Sequence, residues 1–123
     1  MNYEQVLDMF KRNFSADMIT HLDIEKSVYI SGGKSLDRCI YVLLGFTEDK
    51  NEKTLFYPYR LELDDKGRIC PYNNKGKLAT SIKRYRQIKS PLTEDIEEGV
   101  EITLKRIKKL NEQIKIYNLN TDF

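Results

Sequence analysis

The sequence predicts an α+β domain in which one helix precedes an antiparallel sheet of about four strands and two helices follow, in the order α-β-β-β-β-α-α. Apolar residues recur at helical spacing near the amino terminus and again over the last part of the chain. Between them lie apolar and alternating stretches separated by glycine, proline and aspartate turns, which is typical of a sheet. The 123 residues contain no repeat or linker, so we predict one domain over residues 1–123.

The first element is predicted to be an amphipathic helix over residues 3–18. Its apolar residues share one helical face: Val6, Leu7, Phe10, Phe14 and Met18. Asn2 is a favourable N-cap, because its side-chain oxygen can accept a hydrogen bond from the first turn. We expect the apolar face to lie on the sheet.

Four strands are predicted, over residues 26–31, 38–46, 54–63 and 68–72. The second is apolar over most of its length, which indicates a central strand covered on both faces. The third alternates, and Pro58 within it has no N–H to donate, so this strand is expected at an edge or with a bulge. The third and fourth strands are expected to form a hairpin whose turn ends at Gly67, which can adopt a left-handed conformation.

Two helices, over residues 78–89 and 91–117, are predicted to follow the sheet. The apolar face of the first consists of Leu78, Ile82, Tyr85 and Ile88. The second repeats apolar residues at spacings of four and three from Ile96 to Tyr117, which is also the pattern of a coiled-coil seam. Leu104 widens this stripe, so we expect it to pack on the protein's own sheet in a monomer, with a homodimer through this helix as the alternative.

No catalytic or metal-binding motif is complete in the sequence. Residues 33–35 (Gly-Lys-Ser) match the end of a phosphate-binding loop, but Val28 stands where that motif needs glycine. His21 is the only histidine, and Cys39 and Cys70 have no Cys or His partner at zinc-site spacing. We therefore expect a non-catalytic protein without a cofactor or a metal.

The composition of the chain favours a cytoplasmic protein with no membrane partner. The sequence does not open on a basic segment followed by an apolar one, and its longest apolar run, residues 40–46, is far shorter than a membrane span. Cys39 and Cys70 are therefore expected to be reduced thiols that behave as small apolar residues.

The clearest functional signal is a segregation of charge in the second half of the chain. Seven basic residues occur between residues 68 and 91 without an acid, and residues 94–101 then carry five acids without a base. The candidate binding residues of the basic segment are Lys75, Lys77, Lys83, Arg84, Arg86 and Lys89. A helix over residues 78–89 would turn several of these away from its apolar face and so present a surface that contacts phosphate.

Three interpretations of the basic segment remain open: it binds nucleic acid, it binds an acidic protein surface, or it is a solvated face neutralised by the acids that follow. In the first, a nearby exposed tyrosine would stack on a base; the candidates are Tyr57, Tyr59 and Tyr72. In the second, the protein would be an inhibitor or immunity-type protein, of phage or mobile-element origin by composition. Such an inhibitor would use the basic helix or the strand face of Phe56, Pro58 and Arg60. The leading hypothesis is a small non-catalytic module that binds nucleic acid.

Overall fold

A computed structural model describes residues 1–36, 39–72 and 84–121. The helices are α1 (Tyr3–Asn13) and α2 (Thr93–Thr121), with a short 3-10 helix at Ala16–Met18. The strands are β1 (Ile19–Leu22), β2 (Ser27–Ile30), β3 (Leu44–Asp49), β4 (Glu52–Pro58), β5 (Arg60–Leu63), β6 (Ile69–Tyr72) and β7 (Tyr85–Lys89). The predicted α+β class is confirmed, while the order and number of the elements differ in detail.

Helix α1 begins at the predicted cap. Asn2 and Gln5 form a capping box in which each backbone N–H donates to the other's side chain, both at 2.9 Å. The helix ends at Asn13 rather than at residue 18, because Phe14 has an extended backbone conformation. Phe14 and Met18 are nevertheless buried, so the predicted apolar set reaches the core although the helix is shorter.

Five strands form an antiparallel sheet in the order β1-β2-β3-β4-β7, and β5 pairs with β6 in a separate two-stranded sheet. Strand β1 was not predicted, because three of its four residues are exposed and carry no apolar periodicity. The predicted strand over residues 38–46 begins only at Leu44 in the structure. Ile40 is 84% exposed, whereas Leu43 is buried among residues outside the five-stranded sheet.

The predicted strand over residues 54–63 is broken after Pro58. Pro58 has no N–H to donate to a neighbouring strand. The next N–H, that of Tyr59, donates to the Arg84 carbonyl at 2.9 Å. Arg106 of α2 donates to the carbonyls of Pro58 and Tyr59 at 2.6 and 2.9 Å. The chain therefore leaves the five-stranded sheet here and continues as the β5–β6 hairpin.

The predicted helix over residues 78–89 is wrong for its second half. Residues 85–89 form strand β7, which pairs with β4 so that Tyr85 lies opposite Pro58. Tyr85 and Ile88 are three residues apart, which suits one face of a helix but places them on opposite faces of a strand. The first part of the predicted helix, residues 78–83, lies outside the described residues.

The second predicted helix is present as α2. It starts two residues later than expected, at Thr93, and continues past residue 117 to Thr121. Its seam lies inside the protein's own core, where Ile96, Val100 and Leu110 are buried, whereas Leu104 is 40% exposed. None of the described helices combines the length and the apolar character that crossing a membrane would require.

Among the described residues, the core consists of two clusters that meet along α2. The first joins α1 and the amino-terminal part of α2 to one face of the five-stranded sheet, through residues such as Phe10, Phe46 and Ile96. The second joins the β5–β6 hairpin and the segment before β3 to Leu110. Ile107 packs on both clusters, so α2 connects the sheet to the hairpin.

Candidate binding face of the sheet

Residues in register across the sheet alternate between a covered face and an open face. One row, His21, Val28, Phe46, Leu55 and Ile88, points to the helices. The next row, Thr20, Tyr29, Gly45, Phe56 and Gln87, points the other way. No side chain of this second row belongs to either core cluster of the described residues. We call the surface that this row and its neighbours form the open face.

Three aromatic side chains from three different strands meet on the open face. The ring centroids of Tyr29 and Phe56 are 6.0 Å apart with an interplanar angle of 55°. Those of Phe56 and Tyr85 are 5.8 Å apart at 85°, an edge-to-face contact. All three side chains are half-buried, so they form a continuous aromatic surface that solvent still reaches.

Gly45 allows the Phe56 ring to lie flat on the sheet. A Cβ at position 45 would be 2.1 Å from Cζ of Phe56 and 2.5 and 2.7 Å from its two Cε atoms. If this Cβ lay in the plane of the ring, beyond Cζ, its distances to the two Cε atoms would be longer than these. The Cβ would therefore lie over the face of the ring and collide with it. The Phe56 ring therefore covers Gly45 with one face, and the side chain as a whole is only half-buried.

Polar groups surround the aromatic surface. Thr47 and Thr54 lie opposite each other in one adjacent row, and the exposed Gln87 lies directly opposite Phe56. The carboxylates that the described strands bring to this face, Asp49 and Glu52, form the last register pair before the β3–β4 turn. The centre of the open face is therefore aromatic, hydroxyl and amide in character.

Tyr85 joins the open face to the segment before β3. The Val42 N–H donates to its phenolic oxygen, and burial, opposed in part by Arg84 and this hydrogen bond, raises the pKa of Tyr85 above its usual value. The neighbouring Arg84 guanidinium lies 5.1 Å from the centroid of the Tyr41 ring. These contacts hold the Tyr85 ring in position beside Phe56.

The structure distributes the predicted binding residues along a strand rather than on a helix. Arg86 lies on the covered side of β7, where it donates to the Tyr57 hydroxyl at 3.3 Å. Lys89 lies on the open side, paired with Glu52 at 3.3 Å and donating to Thr54 at 3.2 Å. Arg84 directly precedes the strand. Lys75, Lys77 and Lys83 lie outside the described residues.

Arg68, at the start of the basic segment, is tied to the β5–β6 turn. Its Nε is 2.9 Å from Oδ2 of Asp64, and its backbone N–H donates to Oδ1 of the same carboxylate at 2.7 Å. The Lys66 N–H also donates to Oδ1. These bonds hold the pKa of Asp64 below its usual value, with the Arg68 backbone bond as the main cause. Arg68 therefore stabilises the turn of the separate β5–β6 sheet.

A histidine and an aspartate are paired near the covered face. His21 Nδ1 is 2.9 Å from Oδ1 of Asp23, which also accepts a 2.6 Å hydrogen bond from the Tyr3 hydroxyl. The bond from Tyr3, followed by that from His21, lowers the pKa of Asp23. Within the described part of the chain, no group of three His, Cys, Asp or Glu side chains is placed to hold a metal ion. The arrangement ties α1 to the β1–β2 turn.

The aromatic surface is not predicted by the sequence, where Phe56 is expected only as part of a strand face and Tyr85 in a helix. A signal was present in Gly45, since glycine inside an apolar strand often marks the close approach of another group. The partners that meet above it depend on strand register, which no single strand reveals.

Comparisons of the chain with protein-family models, with curated proteins and with solved structures give no match. The function must therefore be inferred from the residues themselves and from their geometry. The open face, with its aromatic centre and its basic border at β7, is the surface that best supports such an inference.

Proposed function

We propose that the protein is a small non-catalytic binding module that holds nucleic acid on the open face of its sheet. The observation that carries this proposal is the position of β7, the edge strand that borders the open face. Lys89 lies on its open side, Arg84 directly precedes it, and Arg86 extends from its other side at the same edge. Phosphate contacts from such a border supply affinity, while groups on the face itself contact sugar and base.

Arg86 and Lys89 retain charge that a phosphate would meet. Arg86 is held by the hydroxyl and the ring of Tyr57, and neither neutralises its guanidinium. Lys89 pairs with Glu52, but both side chains are mostly exposed, at 59% and 63%. An exposed ion pair contributes little free energy, so Lys89 can exchange Glu52 for a phosphate at small cost.

The proposal is tested by fluorescence-anisotropy titration with labelled DNA and RNA at low salt. Reversing Arg86 and Lys89 together to glutamate should weaken binding by about tenfold or more and reduce its salt dependence, because fewer counterions are released. The matched control reverses Lys108 and Lys109, exposed residues of α2, with the same change in charge. Failure of the wild type to bind at ~10 μM protein and ~50 mM salt would refute the proposal.

A second candidate, binding to an acidic protein surface, is favoured by exposed apolar side chains at the β1–β2 turn. Ile24 is fully exposed and Leu22, on the open face, is 46% exposed. These apolar side chains lie at the edge of the sheet opposite the cations of β7, and a surface that combines exposed apolar groups with charge suits a protein interface. In this case a complex should survive nuclease treatment and be lost on Ile24→Asp, with nucleic-acid affinity weak from the start.

A further inference from the structure

We infer that the outward face of the Phe56 ring is a stacking platform for an unpaired base, so that the site takes single-stranded rather than duplex nucleic acid. This inference rests on the proposed function and names the substrate class of the same site. It depends on the orientation of three rings and on one glycine, whereas the proposed function depends on the charges of β7.

The orientation of Phe56 determines which part of its ring a ligand can reach. Because Gly45 has no side chain, one face of the ring lies against the backbone of β3. The ring is only half-buried, so we infer that its second face is the one turned to solvent. A phenyl ring standing upright on the sheet would offer only its edge to a ligand. A ring lying flat instead presents the π-face on which planar bases stack.

Two tyrosine rings flank this platform. Tyr85 stands nearly perpendicular to Phe56 at 85°, and Tyr29 is tilted to it by 55° on the other side. A planar ring placed on Phe56 would therefore meet a tyrosine on two sides. The amide of Gln87, opposite Phe56 in the register, can donate to and accept from the edge of a base.

An exposed ring of this kind favours single-stranded over duplex nucleic acid. In a duplex both faces of each base are covered by neighbouring bases, so a protein ring reaches them only after unstacking. In a single strand the bases can be splayed onto aromatic side chains, with the backbone following a positively charged border. The flat ring beside β7 offers both elements.

The first experiment introduces a fluorescent reporter at the platform. The chain contains no tryptophan, so Phe56→Trp provides a single indole at this position. Titration with a 12-nucleotide oligothymidine should quench its fluorescence, because a stacked base lies against the indole. An equal-length DNA duplex should leave the fluorescence nearly unchanged.

The second experiment removes the platform while keeping an apolar side chain. Phe56→Leu should lower the affinity for the oligothymidine about tenfold, within the range measured for loss of one stacked base, and leave duplex binding unchanged. Tyr59→Leu is the matched control, since Tyr59 is also exposed (36%) but lies at the break between β4 and β5. Thermal unfolding of each variant verifies that the fold is retained.

A third variant tests the platform without altering Phe56. Gly45→Ala places a methyl group where the ring lies, so the ring must leave the sheet, and the same selective loss of single-strand affinity is expected. Equal binding of single and double strands, unaffected by Phe56→Leu and Gly45→Ala and without quenching of the tryptophan, would overturn the platform and leave the proposed function standing. Absence of all nucleic-acid binding would refute the proposed function itself.

Discussion

The two faces of the five-stranded sheet come from the same strands, yet they differ in what covers them. On the covered face, Val28, Phe46 and Leu55 are fully buried beneath α1 and α2. On the open face, Tyr29 and Phe56 from the same strands are only half-buried. Adjacent residues of one strand thus differ in role: one set supplies folding free energy, and the other forms the surface that we propose holds a ligand.

The largest expected effect comes from truncating the two phenylalanines of neighbouring strands. Phe46→Ala should lower the free energy of unfolding by about 3–5 kcal/mol, because it leaves a cavity under the helices. Phe56→Ala should cost roughly 1–2 kcal/mol, since its ring is partly exposed and loses less buried surface. Urea denaturation measures both, and equal losses would contradict the assignment of covered and open faces.

A smaller effect is expected where the sheet gives way to the hairpin. Arg106 donates to the carbonyls of Pro58 and Tyr59 from a partly buried position, and burial lowers its pKa. Arg106→Met should therefore cost about 1–3 kcal/mol, because two carbonyls lose their charged donor. Equilibrium denaturation measures the loss. A variant as stable as the wild type would show that the break after Pro58 does not need this residue.

The smallest effect is expected at the turn of the β5–β6 hairpin, which belongs to the separate two-stranded sheet. Asp64 has a pKa below its usual value in the folded protein, so its stabilising contribution is present above the unfolded-state pKa and is lost as the pH falls through the folded-state pKa. Asp64→Asn should therefore weaken the dependence of thermal stability on pH below about pH 4. Asp65→Asn is the neighbouring control. An unchanged pH profile in Asp64→Asn would contradict the role given to these hydrogen bonds.

The sequence predicts the fold best where the buried residues follow the periodicity of a single helix or strand. The faces of α1 and α2 follow helical periodicity, so Phe10, Ile96 and Val100 were expected in the core and lie there. Strand β1 has little buried surface and therefore no pattern to detect. Residues 85–89 were misassigned because apolar residues three and four apart also satisfy a helix.

The candidate site could be predicted less well than the core. Charge segregation identified Arg84, Arg86 and Lys89 as a group, but the assumed helix placed them on one surface, and β7 places Arg86 and Lys89 on opposite sides. The aromatic surface is assembled by register across β2, β4 and β7. Pairing between strands is a long-range property, and local periodicity carries no information about it.

The central claim is that the open face binds the ligand and the covered face does not. Backbone amide chemical shifts, recorded in ¹⁵N-labelled protein during titration with oligothymidine at low salt, test it most directly. We expect the largest shifts at Tyr29, Gly45, Phe56 and Gln87, with smaller ones along β7. Shifts concentrated instead on α1 and α2, around Glu97 or Lys108, with the amides of the open face unchanged, would contradict the claim.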